Sequence, residues 1–514
     1  MPRRYLILLT VCLATLTINL STMIVNIALP ALATELHANT RDLLWIVDGY
    51  NLAFAALVLA MGSLSDRFGR RPALILGLAG FAVSSATAAL VDTSGALIAI
   101  RFAMGAFAAV IFPTTLSIIA NTFTDRRERA SALGLWGASV GVGVALGPVI
   151  GGLLLTHYSW HSVFWAVVPI TLLALAMAVL CVPESRDPSV PRIDTYGFVV
   201  SVAALGTVTY TIIEGPEHGW GSVETICGFA AAALLLGVFI VIERAVDPPM
   251  IDVTLFHDRR FSAACAAVTI AFFALFGFIV LITQFFQFVR NYTALETGLR
   301  FLPVALALAA ASIIGGQLAP RIGTKLVVAP GLVLLGAAFL WISQVTVDTS
   351  YANVIVPQML MLGTGIGLIS TPATESILQV LPPARAGVGS AVNDATRELG
   401  GTLGVAVVGS IFASQYAEAL MSALRGRIDE SALAQAADSV GVADALASQM
   451  PGLSHIVNAS FIDGLNVACI VVGVLCLVGA ALGFIALPGD RHNPVDGNAL
   501  PHDDITPATP GAIS

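Results

Sequence analysis

Apolar runs of about 20 residues recur along the whole chain, and each is long enough to cross a bilayer as a helix. In hydrocarbon every backbone N–H and C=O must be satisfied internally, so a chain built this way folds as a helical bundle. Only 11% of its 514 residues are charged and 57% are hydrophobic, and the mean hydropathy is +0.88. A soluble domain carries roughly 25% charge. The first run follows Met-Pro-Arg-Arg and shows no cleavage site before Pro30, so it is expected to be retained as a helix.

The runs predict an all-α polytopic membrane protein with fourteen transmembrane helices. They lie near 5–29, 43–61, 73–92, 95–120, 131–155, 160–182, 196–214, 224–242, 261–287, 297–317, 326–345, 353–376, 388–412 and 464–487. With the N-terminus inside, Arg67, Arg70, Arg71, Arg126, Arg127, Arg129, Arg244, Arg259 and Arg260 fall on the cytoplasmic side. The opposite side holds only Arg41, Arg290, Arg300, Arg425 and Arg427. This asymmetry predicts cytoplasmic N- and C-termini and an even number of spans. Residues 413–463 are Ala-rich and read as a long external loop with helical patterning, lying over the outer mouth. Residues 488–514 are rich in Pro, Asp, Gly and Asn and read as a disordered cytoplasmic tail.

Asp394 and Glu398 stand one helical turn apart inside the thirteenth run, on one face of the helix. Carboxylates are costly in hydrocarbon and are functional there by default. Two acids this close resist ionising together, so the pair is suited to exchanging a proton. Arg397, three residues from Asp394, is placed to neutralise it and leave Glu398 the freer acid. Asp48 in the second run and Arg101 in the fourth lie at similar depths from the same surface, which predicts a protonation-sensitive pair. Glu214, Glu217 and Trp220 read as a solvated turn after the seventh helix.

Other chemistries find no support. The six cysteines all fall inside apolar runs without metal-ligand spacing. No catalytic Ser/His or metal constellation stands out, so the chain is not read as an enzyme and no cofactor is expected. No phosphate-cradling loop points to ATP, and nothing points to nucleic acid. A channel is disfavoured because acids at different depths suit alternating access, and a sensor because there is no large soluble domain.

The chain also repeats itself. Gly62-Ser-Leu-Ser-Asp-Arg-Phe-Gly-Arg-Arg71 matches Gly316-Gln-Leu-Ala-Pro-Arg-Ile-Gly-Thr-Lys325 in register at Gly62/Gly316, Leu64/Leu318, Arg67/Arg321, Gly69/Gly323 and Arg71/Lys325. Arg129-Ala130 echoes Arg385-Ala386 at nearly the same offset. The simplest architecture is two six-helix halves, 1–182 and 261–487, with two helices inserted at 183–260. Parallel repeats of this kind mark transporters that rock two halves about a midplane site.

Four segments resemble the major facilitator superfamily, in its fourteen-helix drug:proton antiporter branch. Gly62…Arg71 is similar to the family's loop after helix 2. The resemblance implies conformational gating by Gly62, Asp66, Arg67, Gly69, Arg70 and Arg71, with Asp66 held by basic partners when the inner gate is shut. Leu97-Ile-Ala-Ile-Arg-Phe-Ala-Met-Gly105 resembles the helix 4 motif with its buried arginine, Arg101. Gly141-Val-Gly-Val-Ala-Leu-Gly-Pro-Val-Ile-Gly-Gly152 is similar to the helix 5 motif of antiporters, carried by Gly143, Gly147, Pro148, Gly151 and Gly152. Met23-Ile-Val-Asn-Ile-Ala-Leu-Pro30 resembles the end of helix 1 in that branch.

Trp45-Ile-Val-Asp48, Asp394 and Glu398 match acidic positions of its cation-exporting members. The chain departs from the pattern at Ser21, where an Asp is usual, at Met23 for Thr, and at His161 for Arg. The resemblance implies a proton-coupled exporter of small lipophilic, cationic drugs. It would be a monomer in a bacterial inner membrane, coupled through Asp48, Arg101, Asp394 and Glu398, with the last two acids also binding substrate. An exporter of one endogenous metabolite or lipid would share every one of these motifs.

Overall fold

The computed structural model describes residues 3–123, 125–186, 194–246, 249, 253–380, 386–450 and 452–487. The second echo, Arg129-Ala130 against Arg385-Ala386, and the tail 488–514 lie outside the residues or side chains so described. The first eight helices are α1 (Arg3–Glu35), α2 (Thr40–Phe68), α3 (Arg70–Ala88), α4 (Ser94–Thr122), α5 (Arg126–His157), α6 (His161–Cys181), α7 (Thr195–His218) and α8 (Val223–Ala245). The rest are α9 (Arg259–Gln284), α10 (Ala294–Arg300), α11 (Leu302–Ile322), α12 (Lys325–Ile342), α13 (Val356–Gln379), α14 (Ala386–Leu424), α15 (Glu430–Asp438), α16 (Val440–Gln449) and α17 (Leu453–Ala486). Among the described residues thirteen segments are long and apolar enough to span a membrane, α10 and α11 together forming one of them. Bent α2 is the fourteenth, its parts Thr40–Val58 and Ala60–Phe68 meeting at 54°.

The two halves pack by one scheme. In the first, α1 lies on α5 and α6, α2 on α4, and α3 on α4 and α6. In the second, α9 lies on α14 and α17, α11 on α13, and α12 on α13 and α17. The repeated loop is the same turn twice. Gly69 between α2 and α3 has φ +128°, and Gly323 between α11 and α12 has φ +92°. Glycine is the residue that takes that conformation without a Cβ penalty, which is why both copies keep it.

Two expectations need correction. The segment 413–463 is helical over much of its length, because α14 runs on to Leu424 and α17 begins at Leu453. The cause is an i, i+4 apolar stripe, Phe412, Tyr416, Leu420 and Leu424, all at most 1% exposed, which continues the buried face beyond bilayer length. Phe412 meets Phe461 of α17 edge-on at 4.8 Å between ring centroids. Between these helices, α15 and α16 fold back on the bundle. Thr40 Oγ1 donates to the Asp438 carbonyl (2.9 Å) and Ser439 Oγ to the Ala38 carbonyl (3.3 Å).

The second correction concerns Glu214 and Glu217. They sit within α7, not in a solvated turn. Glu214 is 3% exposed and accepts from Arg41 Nε (2.7 Å) and Trp45 Nε1 (3.3 Å), while Arg41 Nη1 reaches Glu217 (2.7 Å). The inserted α7 therefore has charged partners on α2. It also touches α14: Pro216 has no N–H to offer the Ile212 carbonyl one turn back, and Ser410 Oγ donates to that carbonyl instead (2.8 Å). Ser410→Ala should cost about 1 kcal/mol by orphaning this carbonyl. Adding Pro216→Ala, which restores the helical donor, should return most of it. A double-mutant cycle on unfolding midpoints checks both, and additive losses would sink the argument.

In α16, burial pushes the Asp444 carboxyl above its ordinary range. The folded state then binds this proton more tightly than the unfolded chain. The resulting stability is present at acid pH and is lost as pH rises from the ordinary carboxylate value through the raised folded one. Asp444→Asn should be more stable than wild type at about pH 7 and equal to it at about pH 3. Parallel melting-temperature profiles for the two proteins would refute this.

Candidate functional site

The site is built where the halves meet, and it begins with α4 on α2. A Cβ at Gly105 would fall 2.2 Å from the Tyr50 carbonyl oxygen, so only glycine lets the helices close this far. One turn earlier on the same face of α4, Arg101 is 1% exposed. Its Nε donates to the Ile46 carbonyl at 2.8 Å and its guanidinium lies 4.3 Å from the Tyr50 ring centroid. Arg101 and Gly105, four apart, thus grip Ile46 and Tyr50, also four apart.

That register decides the fate of Asp48. At about 100° per residue, Asp48 is two residues from both Ile46 and Tyr50 and points to the other side of α2. The expected Asp48–Arg101 pair is not formed: among the described residues Arg101 makes no ion pair, and the polar neighbour of Asp48 is Asn51, one turn on. Asp48 shares its face with Leu44, one turn away, which packs against Gly409 of α14 in the second half. Asp48 and Asn51 are both 0% exposed. These polar groups are therefore shut into the seam between the halves.

Asp394 and Glu398 lie on the opposite wall of the seam, on α14, and both are half-buried. Asn393 Nδ2 donates to Asp394 Oδ1 (3.4 Å), and Asn393 Oδ1 accepts from Thr374 of α13 (2.9 Å). Arg397 makes no ion pair with Asp394, though its charge lies near both acids. Its Nη2 donates to Thr374 Oγ1 (3.4 Å) and its guanidinium lies 5.0 Å from the Phe272 ring centroid on α9. Among the described residues neither acid makes an ion pair. Tyr50, which lies under Arg101, is within reach of the Glu398 charge across the seam. Sequence reasoning missed Tyr50, although its position one turn from Ile46 and opposite Gly105 carries the signal.

The helix 5 glycines divide between two faces. Gly143, Gly147 and Gly151 press on Asn19, Met23 and Ile24 of α1, where a Cβ would come within 2.9 Å or less of a side-chain atom. Pro148 and Gly152 face the other half. A Cβ on Gly152 would sit 2.4 Å from the Ala294 carbonyl oxygen, and one on Gly298 would sit 2.1 Å from the Pro148 carbonyl oxygen. Gln287 Nε2 donates to the Ile27 carbonyl (3.0 Å) beside them. The halves are therefore shut together at the end of the bundle that carries α15 and α16.

At the opposite end the Gly62…Arg71 motif bonds within its own loop, to α6 and to the segment after α6, and packs on α4. Arg70 Nε pairs with Asp66 at 2.6 Å, and Gly62 lies against Pro113 of α4. The Arg70 amide donates to the Ser185 carbonyl (2.9 Å) and Arg71 Nη2 to the Val179 carbonyl (2.7 Å). Arg67 lies 5.8 Å from the Phe68 ring centroid.

Among the described residues, thirteen apolar spans and bent α2, with polar side chains buried between them, define a multi-pass membrane protein. Residues 11–405 match the Major Facilitator Superfamily, and the chain belongs to that superfamily. It is 32% identical over 501 residues to the multidrug resistance protein Stp of Mycobacterium tuberculosis, covering 95% of this chain and 93% of that protein. It is 31% identical over 501 residues to the tetracenomycin C resistance and export protein of Streptomyces glaucescens, covering 94% and 92%. A crystal structure of a bacterial homolog of the human lysosomal transporter Spinster, inward-facing and occupied, has the same fold. It superposes with a TM-score of 0.66 at 14% identity, covering 95% of this chain and 97% of that one.

Proposed function

We propose that the protein exports lipophilic, mainly cationic drugs across a bacterial inner membrane in exchange for protons, by alternating access of two halves, 1–182 and 261–487, about their seam. The observation that carries this reading is the acid couple Asp394–Glu398, half-buried on one face of α14 and, among the described residues, free of ion pairs. An anionic couple draws a lipophilic cation, and a protonated one releases it. Asp48 acts on the other wall of the same seam. Burying a carboxylate with no charged partner is costly, so the closed seam is suited to a neutral Asp48, and loss of its proton favours opening. The Arg basis of orientation puts both termini in the cytoplasm and the closed end outside, and here Asp66 is bonded within its own loop. In this reading Gly62, Asp66, Arg67, Gly69, Arg70 and Arg71 shut the inner side when the outer side opens.

The test uses inverted membrane vesicles with an inward-acid pH gradient, reported by a pH dye. Ethidium or a quaternary ammonium compound should release protons from vesicles holding the protein and not from empty ones. No release with any cation, from folded protein, would refute cationic drug antiport. It would favour export of one compound, a reading supported by the relative named for tetracenomycin C alone.

A further inference from the structure

Arg397 stands three residues from Asp394, a spacing at which opposite charges on a helix close on each other. Among the described residues no such bridge forms. The guanidinium is turned toward α13 and α9 instead, with Nη2 donating to Thr374 Oγ1 at 3.4 Å and the Phe272 ring centroid 5.0 Å away. Its Nε is buried and has no hydrogen-bond partner among the described residues. The contact with Asp394 runs through two neutral groups. Thr374 Oγ1, which accepts from Arg397, donates to Asn393 Oδ1 (2.9 Å), and Asn393 Nδ2 donates to Asp394 Oδ1 (3.4 Å). Every donor in this relay points from the cation toward the anion, and Asn393 is buried. A direct arginine–carboxylate bridge is the stronger bond. Arg397 therefore stays off the acid only while Thr374 and Asn393 hold the two ends of the relay.

We infer that Thr374 is a positioning residue that parks Arg397 beside the acid couple without bridging it, and that the parked arginine makes the site selective for singly charged cations. Two ionised acids and one guanidinium leave one net negative charge, which a single cationic group neutralises. A second cationic group would meet Arg397, and like charges repel strongly in a half-buried site. Were Arg397 bridged to Asp394, only Glu398 would remain for the ligand, and the attraction for any cation would fall. The inference rests on the export reading and deepens it by naming the charge of the substrate.

The probes are 1-methyl-4-phenylpyridinium and methyl viologen, alike in shape and different in the second charge. They are titrated against the full chain in lipid nanodiscs, with empty nanodiscs as the blank. Wild type should bind the singly charged probe about tenfold more tightly. Arg397→Gln should erase or reverse that preference. Thr374→Val keeps the shape of the side chain and removes its hydroxyl. It should weaken the singly charged probe by about three- to tenfold, and Thr374→Ser should restore binding. In the Arg397→Gln background Thr374→Val should change nothing further, whereas a merely structural threonine would lose binding in both backgrounds. A wild type that favours methyl viologen, a preference untouched by Arg397→Gln, or a Thr374→Val loss that Thr374→Ser shares would overturn the inference. The wild-type preference and the Val and Ser variants decide it even if Arg397→Gln does not fold. Cation-driven proton release without the charge preference would remove this inference and leave the export reading. No binding of either probe to wild type would remove both.

Discussion

Glu398→Gln abolishes drug-driven proton release in inverted vesicles and weakens binding of a monovalent lipophilic cation by about tenfold or more. The substitution keeps the size and hydrogen-bonding capacity of the side chain and removes only its charge and its proton. Glu398 has no ion-pair partner among the described residues and shares its helical face with Asp394, and its charge reaches Tyr50 in the other half. A carboxylate in that position interacts with a cation without first breaking an existing bridge. Arg397, held by Thr374 and set against the Phe272 ring, tempers the charge of the couple without an ion pair. Asp394→Asn should have the smaller effect, because Asp394 already accepts from Asn393. Wild-type proton release from Glu398→Gln vesicles, at equal protein in the membrane, would exclude Glu398 from coupling.

Gly298→Leu and Gly152→Leu each hold the halves apart at the end that carries α15 and α16, and transport falls to background. The added Cβ would meet backbone atoms, the Pro148 carbonyl oxygen at 2.1 Å and the Ala294 carbonyl oxygen at 2.4 Å. A backbone carbonyl has no rotamer to move into, so the helices themselves must separate. Overpacking of this kind costs about 1–3 kcal/mol, enough to shift a two-state equilibrium by roughly five- to a hundredfold. Because the clash lies between halves, the packing within each half survives and the protein stays folded. Spin labels at the exposed positions Tyr158, just beyond the end of α5, and Leu299, on α10, report the separation. A distance distribution and a transport rate like those of wild type would show that the seam tolerates bulk and does not control access.

The sequence by itself determined the bundle. Apolar runs of bilayer length leave the backbone no choice but helix, and the two Gly-centred loops at Gly69 and Gly323 betrayed the repeat that the packing scheme then displays. The acids Asp394 and Glu398 were legible for the same reason: a carboxylate inside an apolar run is costly enough to stand out alone.

What the sequence left open was which way each side chain faces. Depth along a helix follows from counting residues, and on depth Asp48 and Arg101 match. Facing depends on which neighbour each helix meets, and a step of two residues turns Asp48 away from α4 and toward α14. For the same reason Tyr50, silent in the sequence, lies under Arg101, and Glu214 moved from an assumed solvated turn into a pair with Arg41. The end of α14 was misjudged because bilayer length was taken as the limit of the helix, whereas the stripe Phe412–Leu424 is held by packing on α17 and its neighbours. Local periodicity fixes helices and their depth because it resides in the chain. Rotation about the helix axis, and with it the seam, is fixed by contacts between segments hundreds of residues apart, and only the tertiary structure decides it.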